Sequence, residues 1–229
     1  MREKLLYALG AVAGVLLVRN MHEIFLVVPD EAAQGYIYRI LFVHAPAAFV
    51  FMIFAFVSMV ASVTFLIRRN FNWDSLAVSI TEVALPFGAI NLVTGMIWAR
   101  IIWGVWWVWD ARLTFMLISW LMYAGYLIFR RAIDEPTQRG RVSAVLSILT
   151  FPAVVVTWKA IEWWRTQHPG PVISFRSGGE RRMDPGMESA LLWNFIALLL
   201  FAAVLVAIRM RQESIRRELD GLRREAHAI

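Results

Sequence analysis

The chain has 229 residues, 59% hydrophobic and 17% charged, with a mean hydropathy of +0.60; a soluble globular domain is nearer half apolar, so a soluble fold is excluded. There is no cysteine, which removes disulfides, thiolate metal sites, thiol nucleophiles and any cysteine-based attachment of a cofactor. The net charge of +6 does not call for nucleic acid as a partner, because the basic residues sit at the ends of apolar blocks, where membrane topology and anionic lipid headgroups account for them.

A helix needs about 20 apolar residues to cross a bilayer, and six blocks meet that length. They run about 5–28, 41–67, 75–98, 113–130, 142–164 and 188–208. Backbone groups in lipid must be satisfied internally, and the alternation of a membrane barrel is absent, so the blocks are predicted helices. The first ends in the polar run Arg19-Asn20-Met21-His22-Glu23 and has no small-residue cleavage site, so it is expected to remain as an uncleaved helix. The second opens close to His44. The third carries Glu82, expected to be buried. The fifth carries Lys159 and Glu162, an i,i+3 pair expected to neutralise each other. Beyond it, Pro169-Gly170-Pro171 and Ser177-Gly178-Gly179 mark an irregular loop. After the sixth block, Arg209 begins a segment of alternating basic and acidic residues, expected to be a solvated helix on the membrane surface. The expectation is an all-α polytopic membrane protein: one six-helix domain over residues 1–208 and a charged tail over 209–229.

Six spans leave both termini on one side. The ends carrying Arg2, Lys4, Arg68, Arg69, Arg130, Arg131, Arg139, Arg141 and the arginines from Arg209 onward hold about twice the positive charge of the opposite ends, which carry Arg39, Arg100, Arg112, Arg165, Arg176, Arg181 and Arg182. The bias predicts cytoplasmic termini, with residues 29–40, 99–112 and 165–187 facing the periplasm.

The segment Trp103-Gly104-Val105-Trp106-Trp107-Val108-Trp109-Asp110-Ala111-Arg112-Leu113-Thr114 stands out, with Trp98 just before it. An interfacial aromatic belt is one reading. The other is a ligand platform: i, i+3, i+4 spacing would put Trp103, Trp106 and Trp107 on one helical face, wide enough for a planar aromatic molecule. Composition and spacing leave both readings open. The segment resembles the WWD motif (Trp-Gly-x-x-Trp-x-Trp-Asp-x-Arg-Leu-Thr) of the heme-handling proteins of cytochrome c biogenesis, and a short chain with six spans is similar to the cytochrome c maturation protein C branch, also called heme exporter protein C. The resemblance implies that the platform, with Trp109 and Asp110, is one wall of a heme site.

His44 lies in Val43-His44-Ala45-Pro46-Ala47-Ala48 and His168 in Trp163-Trp164-Arg165-Thr166-Gln167-His168. Topology puts both level with the tryptophan segment. A single histidine at a helix end reads as an interfacial residue, but two at one depth can bracket a metal, and neutral imidazole is a common heme-iron ligand. The family carries one histidine in a His-x-Pro-Ala-Ala element and another in a Trp-Trp-x-x-x-His element; the resemblance therefore implies His44 and His168 as axial ligands of a non-covalent heme b. Arg39 and Arg112 would pair with the propionates, with Arg100 a weaker candidate, or they are arginines that snorkel to the headgroups and set topology. Asp110 is expected to fix Arg112 or the loop. His22 reads as part of a self-satisfying polar cluster and His227 as a solvated tail residue.

The resemblance further implies a bacterial inner-membrane protein that delivers heme to a periplasmic heme chaperone alongside an ABC-type transporter. No nucleotide motif or catalytic constellation is evident, so an enzyme is not expected. Two rivals remain: a subunit of a cytochrome c heme lyase, against which the short chain argues, and a transporter subunit with an aromatic belt and no heme.

Overall fold

The computed structural model describes residues 2–168, 170 and 183–227, and all six expected spans are helices. α1 (Arg2–His22) runs into a π-helical turn (Glu23–Val27), and a 3-10 turn (Tyr36–Ile40) leads into α2 (Leu41–Arg68). α3 (Phe71–Trp103), α4 (Ala111–Arg131), α5 (Pro136–Trp163) and α6 (Pro185–His227) complete the bundle. Each of the six is long and apolar enough to cross a membrane, and the chain is a polytopic membrane protein.

Local chemistry sets the helix starts. Asn70 caps α3 by accepting from the Asn72 N–H at 2.9 Å, and Asp110 caps α4 by accepting from the Leu113 N–H at 2.9 Å. Glu135 caps α5 through the N–H groups of Thr137 and Gln138, and Pro136 supplies the first helical residue. Several helices extend beyond the apolar blocks, and the added turns of α3 and α6 carry Asp74, Glu213 and Arg217, which pair within the bundle.

The core joins Val50, Phe51 and Phe54 of α2 to Ile80, Val83, Ala84 and Phe87 of α3, Met116 and Tyr123 of α4, and Val154 of α5. Polar glue crosses it: the Ser58 hydroxyl lies 2.9 Å from that of Thr81 and 3.2 Å from that of Ser147, linking α2, α3 and α5. A smaller cluster of Ile24, Val28, Phe42, Met183, Met187 and Leu191 ties α1, α2 and α6 together at one end of the bundle, and there the buried Asn194 donates to the Phe42 carbonyl.

At the opposite end, four charges interlock. Asp74 of α3 receives two hydrogen bonds from Arg130 of α4, both at 2.7 Å, and a third from Arg217 of α6. Glu213 of α6 lies 3.6 Å from Arg130 and 3.4 Å from Arg217. Asp74, Arg130 and Glu213 are all buried. The segment expected to be solvated therefore continues α6 without a break, and its first turns pack on the bundle. Glu82 is partly buried and pairs with Arg209, and Lys159 pairs with Glu162 at 2.8 Å. Pro169, Pro171, the Ser177-Gly178-Gly179 turn, Arg176, Arg181 and Arg182, and the His227 side chain lie outside the described residues.

Candidate functional site

A cavity of about 230 Å³ opens at the end of the bundle that carries the tryptophan segment. α2 contributes His44, Ala48 and Met52; α3 contributes Asn91, Gly95, Trp98 and Trp103 among others; Arg112 and Met116 come from α4 and Thr157 from α5. Trp107, Gln167 and His168 come from the connecting segments, and Gln34 from the loop before α2.

The His44 and His168 rings both line this cavity, with centroids 6.3 Å apart and planes inclined by 26°. Residues 124 apart in sequence are brought together because α2 begins, and α5 ends, at the same level of the bundle. His44 is lodged against α3: its Nδ1 lies 3.0 Å from Thr94 Oγ1, and its ring makes an edge contact with Trp98 at 5.8 Å. Gly95 permits this approach, since a Cβ there would lie 3.0 Å from His44 Cε1. Trp98 Nε1 donates to Gln34 Oε1 at 2.8 Å, holding the loop before α2 over the cavity.

The tryptophans do not share a helical face. α3 ends at Trp103, and Gly104 takes a left-handed conformation with φ of 74° that turns the chain out of the helix. Residues 104–110 are irregular, so the i, i+3, i+4 spacing has no helix to act on. Trp103 and Trp107 line the cavity; Trp106 and Trp109 do not, and they stand 55% and 75% exposed. Trp109 meets Trp107 edge to face at 5.7 Å, and Trp106 lies under the Arg100 guanidinium at 6.0 Å. Trp107 Nε1 is buried without a hydrogen-bond partner among the described residues. A buried donor of this kind is rare in a folded protein and marks a position where a bound molecule could supply the acceptor.

Of the proposed cations, only Arg112 lines the cavity. Arg39 is held elsewhere: it donates to the Ile24 carbonyl and to Asp30 at 2.7 Å, and stacks over Tyr36 at 4.8 Å. Its role is to fasten the loop before α2. Arg100 donates to the Gly104 carbonyl at the end of its own helix. Asp110 does two jobs: one oxygen caps α4, and the other accepts from the Gln167 N–H at 3.2 Å, anchoring the segment that carries His168.

The arrangement suits a flat apolar molecule carrying a metal. With each ring turned so that a nitrogen edge faces the other, two bonds of about 2 Å plus roughly an ångström from each nitrogen to its ring centre would span about 6 Å, close to the observed ring separation. Among the described residues no third His, Cys, Asp or Glu joins them, so a metal held here would bring most of its ligands with it. Arg112 offers a carboxylate partner and Trp107 an N–H donor. The cavity is smaller than the roughly 300–1,000 Å³ of pockets that enclose drug-sized ligands, so a large macrocycle would be gripped over part of its area. Asn91, Thr94 and Gly95 escaped the sequence reading, which noted Trp98 only as the neighbour of the tryptophan segment. The i, i+3, i+4, i+7 spacing of all four on one face of a membrane helix was the available signal.

The family profile described as Heme exporter protein C matches residues 1–225. Heme exporter protein C of Bradyrhizobium diazoefficiens is 34% identical over 214 residues, covering 93% of this chain and 80% of that protein. The Escherichia coli K12 protein of the same name is 33% identical over 184 residues, 80% of this chain and 73% of its own length. That of Paracoccus denitrificans is 33% identical over 199 residues, 85% and 80% respectively. With a profile match over nearly its whole length and relatives at one-third identity, the chain belongs to the heme exporter protein C family.

Proposed function

We propose that this protein binds heme non-covalently in the cavity at the tryptophan end, with His44 and His168 as the two axial ligands, and passes it to a periplasmic heme chaperone for c-type cytochrome biogenesis. The observation that carries the reading is the pair of near-parallel imidazoles 6.3 Å apart in a cavity walled by Trp103 and Trp107. The family membership supports heme as the cargo, and an ABC-type transporter of the same system is the expected company. The protein is a carrier and not an enzyme. It sits in the bacterial inner membrane, and the cavity faces the periplasm, in keeping with the arginine-rich opposite end.

The chain's own groups divide the work. The imidazoles offer nitrogen lone pairs, Arg112 offers a guanidinium to a propionate, and Trp107 offers its indole N–H. The exposed Trp106 and Trp109 form an apolar rim past which cargo is handed on. Redox chemistry of bound heme belongs to the iron and to the chaperone.

The test is hemin titration of the purified full-length protein in detergent, read by the Soret band. Wild type is expected to give a six-coordinate low-spin spectrum, His44→Ala and His168→Ala each to lose it, and the double variant to lose binding. Arg112→Gln is expected to weaken hemin binding but not binding of its propionate dimethyl ester, with Arg39→Gln near wild type for both. A double histidine variant with an unchanged Soret band overturns the assignment.

A further inference from the structure

His44 can present its outer nitrogen to a metal only if its ring carries its single proton on the other one, and the wall of α3 contains what is needed to enforce that. Thr94 Oγ1 lies 2.6 Å from the Ile90 carbonyl and 3.2 Å from the Asn91 carbonyl. Carbonyls only accept, so the one hydroxyl proton of Thr94 is committed to the helix backbone. Toward His44 Nδ1, 3.0 Å away, Thr94 can then only accept, and the ring nitrogen must donate. Asn91 does not decide the tautomer: its amide nitrogen donates to the His44 carbonyl at 3.2 Å and stands almost equally far from the two ring nitrogens, 3.3 Å from Nδ1 and 3.2 Å from Nε2, so it lies along neither lone pair. The constraint on the ring comes from Thr94.

We infer that Thr94 is a positioning residue that locks His44 as the Nδ1–H tautomer, leaving the Nε2 lone pair for a metal. This rests on the reading of His44 as a metal ligand. The physical logic is that of a metal-bound histidine whose other N–H is held by a neighbouring acceptor, which fixes the ring's orientation and its basicity.

The experiment has one arm without ligand and one with hemin. In full-length protein labelled with ¹⁵N-histidine and free of heme, with His44→Ala assigning the signals, wild type at neutral pH is expected to show His44 with a protonated Nδ1 and a bare Nε2. Thr94→Val, which keeps the shape and removes the acceptor, is expected to lose that single tautomer, and Thr94→Ser to restore it. With hemin, Thr94→Val is expected to weaken affinity by about 10–100-fold, the usual effect of removing such a partner, and Thr94→Ser to stay within about twofold. An Nε2–H tautomer in wild type, or unchanged tautomer and affinity in Thr94→Val, overturns the inference. Failure of the ligand reading itself looks different: His44→Ala then leaves the hemin spectrum intact, whatever the tautomer.

Discussion

Replacing Asp74 with Ala should be among the most damaging single changes away from the cavity. Asp74 is 4% exposed and Arg130 7%, and the carboxylate supplies both short contacts that neutralise Arg130. Without it, Arg130 and Arg217 share the single carboxylate of Glu213, at 3.6 and 3.4 Å. Removing one partner of a buried ion pair costs about 3–5 kcal/mol, because the other charge stays buried and unpaired. At roughly 2–4 °C per kcal/mol for a chain of this size, the melting temperature should fall by about 6–20 °C. The assay is thermal unfolding in detergent followed by size-exclusion chromatography. The companion Asp74→Leu/Arg130→Met, which removes both charges and fills the space, should recover most of the loss, the coupling expected of contacting residues. If Asp74→Ala melts within about 1 °C of wild type, or the double variant is no better than the worse single one, the network does not hold α3, α4 and α6 together in the way described.

Two further outcomes follow from smaller features. Trp107→Phe keeps the ring but removes the buried N–H that has no partner among the described residues; hemin affinity should fall about tenfold, one hydrogen bond's worth, while Trp106→Phe, at the exposed rim, should change it less than about twofold. Equal effects from the two would refute the distinction between wall and rim. The Glu135 carboxylate is held below its ordinary value by the N–H groups of Gln138 and then Thr137. Its capping contribution is therefore complete above the unfolded value and is lost as pH falls through the lower folded one. Amide exchange at Thr137 and Gln138, corrected for intrinsic rate, should be better protected in wild type than in Glu135→Ala at about pH 6, and the difference should vanish as pH falls through the lowered folded value; no difference at about pH 6 would show that the cap is not formed.

The membrane architecture was legible because it depends on block length and hydropathy, properties that survive without knowing any contact. The ends of the helices were not. Asp74 reads as the edge of a span until Arg130, 56 residues away, is known to neutralise it, and Glu213 reads as a surface charge until α6 is seen to carry it inward. At the cavity, topology put His44 and His168 at one level, and the family's His-x-Pro-Ala-Ala and Trp-Trp-x-x-x-His elements singled them out as a pair. The tryptophan platform failed for a local reason: one glycine with positive φ ends α3 before the helical spacing can act. The detachment of Arg39 from the cavity was invisible for the opposite reason, since Asp30 and the Ile24 carbonyl compete for it only after the chain has folded back.

α6 is one uninterrupted helix from Pro185 to His227. At 1.5 Å per residue its 43 residues make a rod about 64 Å long, twice the hydrocarbon thickness it crosses. It is pinned near each membrane face, by Asn194 on the Phe42 carbonyl and by Arg217 on Asp74, two points about 35 Å apart along the axis. A rod held at two points cannot slide or roll at one face without straining the other. The cavity-side segment of α2 and the charge cluster at the opposite face therefore answer to the same lever.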